Sequence, residues 1–380
     1  MNRSTTQARA GYPRRIRARR RLVCGTFAVI LGGLVLTACS EPTESEAEGD
    51  GSGTSVAQEA VTVENCGEDV EFQAPVQKMF VNDSNILSIA IAAGAADHVS
   101  AATVREGHRQ LLSNVYGDEA DDINYVAERA DLETVVAEDP EMMFAGWNYG
   151  FKDETPLNPS GLAEHDIDSY LLSETCRSGQ GTRGTMDPWV ALRTDLFNIG
   201  EIAGDADRAQ SVVDDIDSRL ETLSGVPQPD ETPTAFLVDS ANDTIFTSGS
   251  FGGPQGILEA AGARNATEDV ADTWTDVSWE KIATEDPDVL VFVDYEAQSY
   301  EEKLEALRTH PATRDLEAVK EERFINIPYV MWCSGPLNID AAEIVRKGME
   351  SYGLAPESDI DPEISVSDMG VDGNEWATEG

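Results

Sequence analysis

AGDADRAQSVVDDIDSRLETLS, residues 203–224, is the stretch on which the fold turns. Its apolar positions Ala209, Val212, Val213, Ile216, Leu220 and Leu223 recur at helical spacing, so they line one stripe. Gly204 and Asp205 mark the start: the Asp205 carboxylate suits the free amides of a first turn, and Asp207 adds charge where the helix dipole favours it. Gly225, Pro227 and Pro229 close the other end, because glycine fits a left-handed cap and proline cannot continue the ladder. A helix of this length reaches about 30 Å, the width of a small domain.

The same pattern stands on either side of it. Upstream, Val136-Ala137-Glu138-Asp139-Pro140-Glu141-Met142-Met143-Phe144 runs from a helix end through Asp-Pro into an apolar run. Downstream, Ile282-Ala283-Thr284-Glu285-Asp286-Pro287-Asp288-Val289-Leu290-Val291-Phe292 does so again. Short apolar runs bounded by turn signals read as buried parallel strands. The pattern therefore predicts an α/β fold with two similar lobes joined by one rod.

A chain of 380 residues can hold two cores. Eight of its 27 basic residues lie within positions 1–38, which contain no acid, so the remainder carries 19 bases against 71 acids. So acidic a surface excludes a broad nucleic-acid-binding face and reads as a solubility device. The early arginines precede an apolar run over 22–38, too short for a membrane span, which reads as an export signal. Leu36-Thr37-Ala38-Cys39 resembles the lipobox of bacterial lipoproteins, which implies cleavage before Cys39 and acylation of its thiol. Arg19-Arg20-Arg21-Leu22 also suits a twin-arginine signal, and both export routes stay open. The protein is thus expected on the outer face of a bacterial cell membrane, tethered by lipid. With Cys24 in the signal and Cys39 lipidated, Cys66, Cys176 and Cys333 remain; the first two share a lobe and are the favoured disulfide.

The expected organisation is a signal over 1–38, a disordered tether over 39–60, a first α/β lobe over 61–204, a connecting helix over 205–224, a second lobe over 225–352 and a mobile acidic tail over 353–380. Residues 61–72 suggest an opening hairpin. Strands are expected over 78–81, 98–102, 167–173, 234–238, 244–247 and 323–327 besides the two Asp-Pro runs, with a helix over 188–203 leading into the rod. Ligands of open α/β sheets bind at the carboxyl ends of the strands.

Several stretches carry a family resemblance. These are Val63-Glu64-Asn65-Cys66-Gly67, Glu138-Asp139-Pro140-Glu141, Ile199-Gly200-Glu201-Ile202-Ala203-Gly204, Gly256-Ile257-Leu258-Glu259-Ala260-Ala261-Gly262-Ala263-Arg264-Asn265, Val277-Ser278-Trp279-Glu280, Asp286-Pro287-Asp288 and Gly335-Pro336-Leu337-Asn338. In this order, after a lipobox, residues 61 to about 352 resemble the substrate-binding lipoproteins of ABC importers for ferric siderophores, cobalamin and haem, the helical-backbone class of periplasmic-binding-protein-like chains. The resemblance implies two Rossmann-like lobes joined by a single long helix, moving little around a ligand held between them. It also implies delivery to an ABC permease and its ATPase. Glu259 matches the acidic permease contact of the second lobe, and the corresponding position of the first lobe falls at Ser88.

A cleft for a large chelate wants aromatic walls and a few fixed polar groups. Trp147 and Trp332 lead the candidates, with Tyr149, Tyr329, Phe251, Trp274 and Tyr295 on neighbouring loops; Trp189 and Trp279 lie in helical pattern and are assigned to packing. Arg105, Arg177 and Arg183 follow strand ends, where a guanidinium can pair with the oxygens of an anionic chelate. Asn82, Asn148 and Ser248 complete the set as hydrogen-bonding groups. The four His, at 98, 108, 165 and 310, have no metal-ligand spacing, so no bare metal site is assigned and no cofactor is expected. An extracellular enzyme is the rival reading, but Gly249-Ser250-Phe251-Gly252 lacks the Gly-x-Ser-x-Gly elbow and no nucleotide loop appears. The expectation is a monomeric, non-enzymatic solute-binding lipoprotein for an iron–siderophore chelate. Cobalamin or haem capture, and a receptor that signals without transport, are the alternatives.

Overall fold

The expected rod is a helix, Ala206–Gly225, whose cap Asp205 accepts the Arg208 N–H through its side chain. The structure, a computed structural model, describes residues 59–179 and 181–378, which belong to one compact unit; the export signal, Cys39 and nearly all of the tether lie outside them. Ala209, Val213, Ile216 and Leu223 are buried and Val212 and Leu220 pack against the same core, so the predicted stripe is the buried one.

The rod is not alone. Helix Pro188–Ala203 lies against it, separated by Gly204, which takes φ 78 in a left-handed cap, and the cap residue Asp205. A Cβ on Gly200 would fall 2.5 Å from that of Ala209, so the close approach of the two helices needs glycine there. Both span the molecule in opposite senses. At the first turn of helix Pro188–Ala203 the Trp189 indole donates to the Gly256 carbonyl in the second lobe, and at its end Ile202 accepts from Val76 in the first. Along Ala206–Gly225 the order reverses: Arg208 bonds Ala92 and Glu119 of the first lobe, and Arg219 bonds Asp340 and Glu343 of the second.

The first lobe opens with a hairpin of β1 (Glu59–Asn65) and β2 (Glu68–Ala74), turned at Cys66 and Gly67 with φ of 53 and 81. Positive φ at both central residues matches the twist of a two-residue hairpin. Cys66 is disulfide-bonded to Cys176, and Asn65 exchanges two hydrogen bonds with Leu171, so the hairpin is pinned to the lobe. Behind it lie β3 (Met79–Asn82), β4 (Val99–Thr103), β5 (Tyr125–Ala127), β6 (Met142–Trp147), β7 (Gly150–Phe151) and β8 (Asp168–Leu171). Their order is β5-β4-β3-β6-β7 with β8 also on β6, and every pairing is parallel.

The second lobe carries β9 (Thr234–Val238), β10 (Ser240–Ala241), β11 (Ile245–Ser248), β12 (Arg264–Asn265), β13 (Trp274–Val277), β14 (Val289–Asp294) and β15 (Phe324–Pro328). A parallel sheet of order β12-β9-β14-β15 is accompanied by a small antiparallel one, β10-β11-β13. The two Asp-Pro junctions adopt one geometry: Asp139 and Asp286 have φ of 48 and 45, and each leads into a buried strand. The sequence repeat is thus a repeat of turn geometry.

The acidic tail departs from expectation, because residues 353–378 are ordered on the protein. Ile360, Ile364 and Met369 are buried against the second lobe's core. Asn374 gives and takes a hydrogen bond with the backbone of Asn326, at 2.8 and 3.0 Å, covering the open edge of β15. Apolar residues spaced singly among acids gave little sign of this, since together they form no continuous stripe.

Candidate binding site between the lobes

The carboxyl ends of both parallel sheets meet at one seam. From the first lobe, β3 delivers Asp83, whose φ of 84 and ψ of 154 is a backbone region suited to glycine. Its carboxylate accepts the Ser84 N–H at 2.6 Å and the Tyr329 hydroxyl of the second lobe at 3.1 Å. His108, on helix Glu106–Tyr116, meets Ser84 Oγ through Nδ1 at 2.9 Å, and its ring stacks on Tyr329 at 5.0 Å. Tyr329 stacks in turn on Tyr295 at 4.9 Å, and the Arg105 guanidinium lies over Tyr295 at 4.7 Å. Arg105 and His108 both face Glu296, at 3.5 and 3.7 Å. Burial lowers the pKa of His108, while Asp83 and Glu296 partly offset it.

The seam continues through Tyr149, whose hydroxyl donates to Cys333 Sγ at 3.5 Å, and Cys333 is a buried free thiol. Burial pushes the thiol of Cys333 and the phenols of Tyr149 and Tyr329 well above their ordinary ranges, so all three are protonated donors near neutrality. Next comes Glu174, on the turn after β8, which accepts hydrogen bonds from the Trp274 indole and the Ser334 N–H of the second lobe, both at 3.1 Å. Beyond it Arg183 donates to the Trp274 carbonyl and lies 3.4 Å from Asp272.

The structure thus brings Arg105, Arg183, Tyr149, Tyr295, Tyr329 and Trp274 to one interface. Trp147 sits at its first-lobe rim, half-buried, with the Arg177 guanidinium 3.7 Å over its ring and Arg177 paired to Asp153 at 2.7 Å. A surface hollow of about 350 Å³ opens beside it, lined by Trp147, Asp153, Asn158, Pro159 and Ser160. Another hollow, of about 560 Å³ under residues 361–377, gathers neither a ring stack nor a strand end. Chemistry favours the seam.

Other candidates sit differently. Trp332 belongs to the core and not to the wall: it is fully buried, because the single turn Tyr329–Trp332 directs its indole N–H to the Phe292 carbonyl at 3.0 Å. Ser248 is likewise buried, with its hydroxyl donating to the Thr273 carbonyl. Asn82 is held by the Thr103 hydroxyl, Asn148 is exposed with φ 68, and Phe251 is half-buried against Gly184. Trp189 and Trp279 donate their indole N–H groups to Gly256 and Asn242, as packing residues do. On the outer surface Glu259 is exposed and accepts from Gln255, whereas Ser88 is buried against the Tyr116 hydroxyl and presents nothing to a partner. Asp83, His108, Glu174 and Glu296 are not among the residues the sequence marks as site candidates, although Asp83 and Glu174 closely follow the strands expected over 78–81 and 167–173.

Residues 182–330 match the family model described as periplasmic binding protein. Solved structures agree along most of the chain. A periplasmic binding protein from Veillonella parvula is 19% identical, with a TM-score of 0.63, over 77% of this chain and 98% of its own. An ABC-type Fe3+-hydroxamate transport system protein from Saccharomonospora viridis is 20% identical, with a TM-score of 0.63, over 76% and 98%. The chain has the periplasmic-binding-protein fold, of the helical-backbone type. The molybdate periplasmic binding protein MolA of Haemophilus influenzae shares this periplasmic-binding-protein fold at 15% identity, with a TM-score of 0.62, over 80% and 95% of the two chains. No curated protein matches the chain. Among the described residues no helix is long and apolar enough to cross a membrane.

Proposed function

We propose that the chain captures a metal chelate, an iron–siderophore in particular, between its lobes outside the cell membrane and hands it to an ABC permease and its ATPase. One observation carries this reading: both parallel sheets aim their carboxyl ends at a single seam furnished with stacked rings and guanidinium groups. Such walls suit a flat or globular chelate whose ligand atoms are anionic oxygens. Cys39 is the proposed lipid attachment and Glu259 the permease contact of the second lobe. Trp147 under Arg177 reports on the rim, and Tyr295, Tyr329 and Arg105 are the proposed wall.

Tryptophan fluorescence of the full chain in detergent, titrated with ferric hydroxamates, ferric catecholates, haem and cobalamin, tests the reading. Saturable quenching by one ferric chelate, and not by its iron-free form, is the expected result. Saturation by haem or cobalamin alone would move the ligand within the class, and no response to any of them would remove chelate capture.

A further inference from the structure

The seam holds an arrangement that simple lobe-to-lobe packing does not need. Glu174 belongs to the first lobe, yet its partners across the seam are second-lobe N–H groups fixed by that lobe's own fold. They are the indole N–H of Trp274 on Glu174 Oε1 and the backbone N–H of Ser334 on Oε2. Gly253 opens helix Gly253–Ala261, where Pro254 has no N–H and the Gln255 N–H is bonded to the Gly252 carbonyl, so the Gly253 amide is the one left over at this end. Burial raises the Glu174 pKa to about 7, and the Ser334 and Trp274 N–H groups together with the nearby Arg183 charge partly offset it. The Ser334 hydroxyl, almost wholly buried on one of the donating residues, has no partner of its own.

A converging set of N–H donors is a receptor for an oxyanion. Here its occupant is borne by the opposite lobe, so any separation of the lobes draws Glu174 out and opens the donors to solvent. Converging N–H groups form stronger, charge-assisted bonds to an oxyanion than to water, and closure over an empty pair of donors would leave them buried without acceptors, so a replacement anion is favoured.

We propose that the N–H groups of Trp274 and Ser334 form an anion subsite of the ligand-binding seam, taking a carboxylate or similar oxyanion of the solute, with Glu174 as a built-in occupant that the solute displaces. This rests on the reading that solute enters between the lobes. It assigns Glu174 the part of a competitor: removing its carboxylate vacates the subsite without touching the donors.

The test uses the full chain with acetate and formate as probes. In Glu174→Ala, acetate should bind saturably and move the indole ¹⁵N–H resonance of Trp274, identified by its loss in Trp274→Phe, at least about tenfold more tightly than in the parent chain, which corresponds to roughly 1.4 kcal/mol. Glu174→Gln, whose amide still fills the cup, should respond no better than the parent. Acetate should also raise the melting temperature of Glu174→Ala beyond the effect of equal ionic strength of sodium chloride, a readout that remains if the variant is poorly folded without an anion. Should acetate and formate neither move the Trp274 resonance nor stabilise Glu174→Ala beyond chloride, the subsite is refuted. Because these probes carry no metal, failure of chelate capture would show in the fluorescence titration and not here.

Discussion

Arg219→Met is the sharpest perturbation of the device that links the lobes. Arg219 stands on the connecting helix with Nη2 2.7 Å from Asp340 and 2.6 Å from Glu343, and Nε 3.0 Å from Glu343. Asp340 is fully buried and Glu343 nearly so. Methionine roughly keeps the volume of the stem but leaves two carboxylates facing apolar surroundings, a loss of about 3–5 kcal/mol for a broken buried pair. At about 2–4 °C per kcal/mol for chains of 150–250 residues, the melting temperature should fall by about 6–20 °C. The deficit should also depend on pH. Burial raises the Asp340 pKa from its ordinary 3.8 to about 6 even with Arg219 in place, and without the guanidinium it must rise further. A carboxyl that holds its proton more tightly when folded loses stability as pH rises from its unfolded value through its folded one. The variant should therefore lie closer to the parent at about pH 5 than at about pH 8, by up to roughly 1.4 kcal/mol per pH unit. Calorimetric scans at both values provide the assay. A loss under about 1 kcal/mol, or one unchanged between the two pH values, would refute the argument; restoration by Arg219→Met with Asp340→Leu and Glu343→Leu would support it.

Replacing Cys66 and Cys176 together by Ser opens a loop of sequence separation 110 and should cost about 2–5 kcal/mol, read as a lower melting temperature that reductant reproduces in the parent chain. Trp147→Ala should weaken chelate binding more than tenfold, about 1.4 kcal/mol, with little change in melting temperature, whereas Trp332→Ala should lose about 3–5 kcal/mol of stability; equal thermal losses in both would contradict their assignments. Burial raises the pKa of Asp195, which accepts from Tyr170 and Ser173, from 3.8 to about 7. Its contribution to stability should accordingly fall as pH rises between those values, and a parent-minus-Asp195→Asn difference in unfolding free energy that stays flat across the window would disprove this.

Much of the fold is written locally. The rod, the hairpin at Cys66-Gly67 and the strands after Asp139-Pro140 and Asp286-Pro287 each follow from short-range chemistry: spacing, caps, positive φ and apolar runs. The site is less legible, since its members come from distant loops and their directions depend on long-range packing. Trp147 ends one strand and Trp332 closely follows another, yet one lies at the rim under Arg177 and the other in the core against Phe292. His108 carried no motif, because its role comes from stacking on Tyr329, which is 221 positions downstream. The tail looked mobile for the same reason. Its anchors Ile360, Ile364, Met369 and Asn374 acquire meaning only beside the helix Asn338–Ser351 and the edge of β15.

The paired helices have a consequence for recombination. After the first-lobe turn at Ser173–Thr175 the chain crosses to the second lobe near Arg183, returns along Pro188–Ala203 and crosses again along Ala206–Gly225. Three passages of one chain stitch the halves together, so a hybrid assembled from the halves of two such proteins has no neutral splice point between 176 and 225. Whichever parent supplies that segment brings contacts fitted to both of its own lobes. Shuffling of this architecture should accordingly succeed at strand-end loops, which vary ligand chemistry within one parent's frame, and fail at the midpoint where the linear sequence looks most divisible.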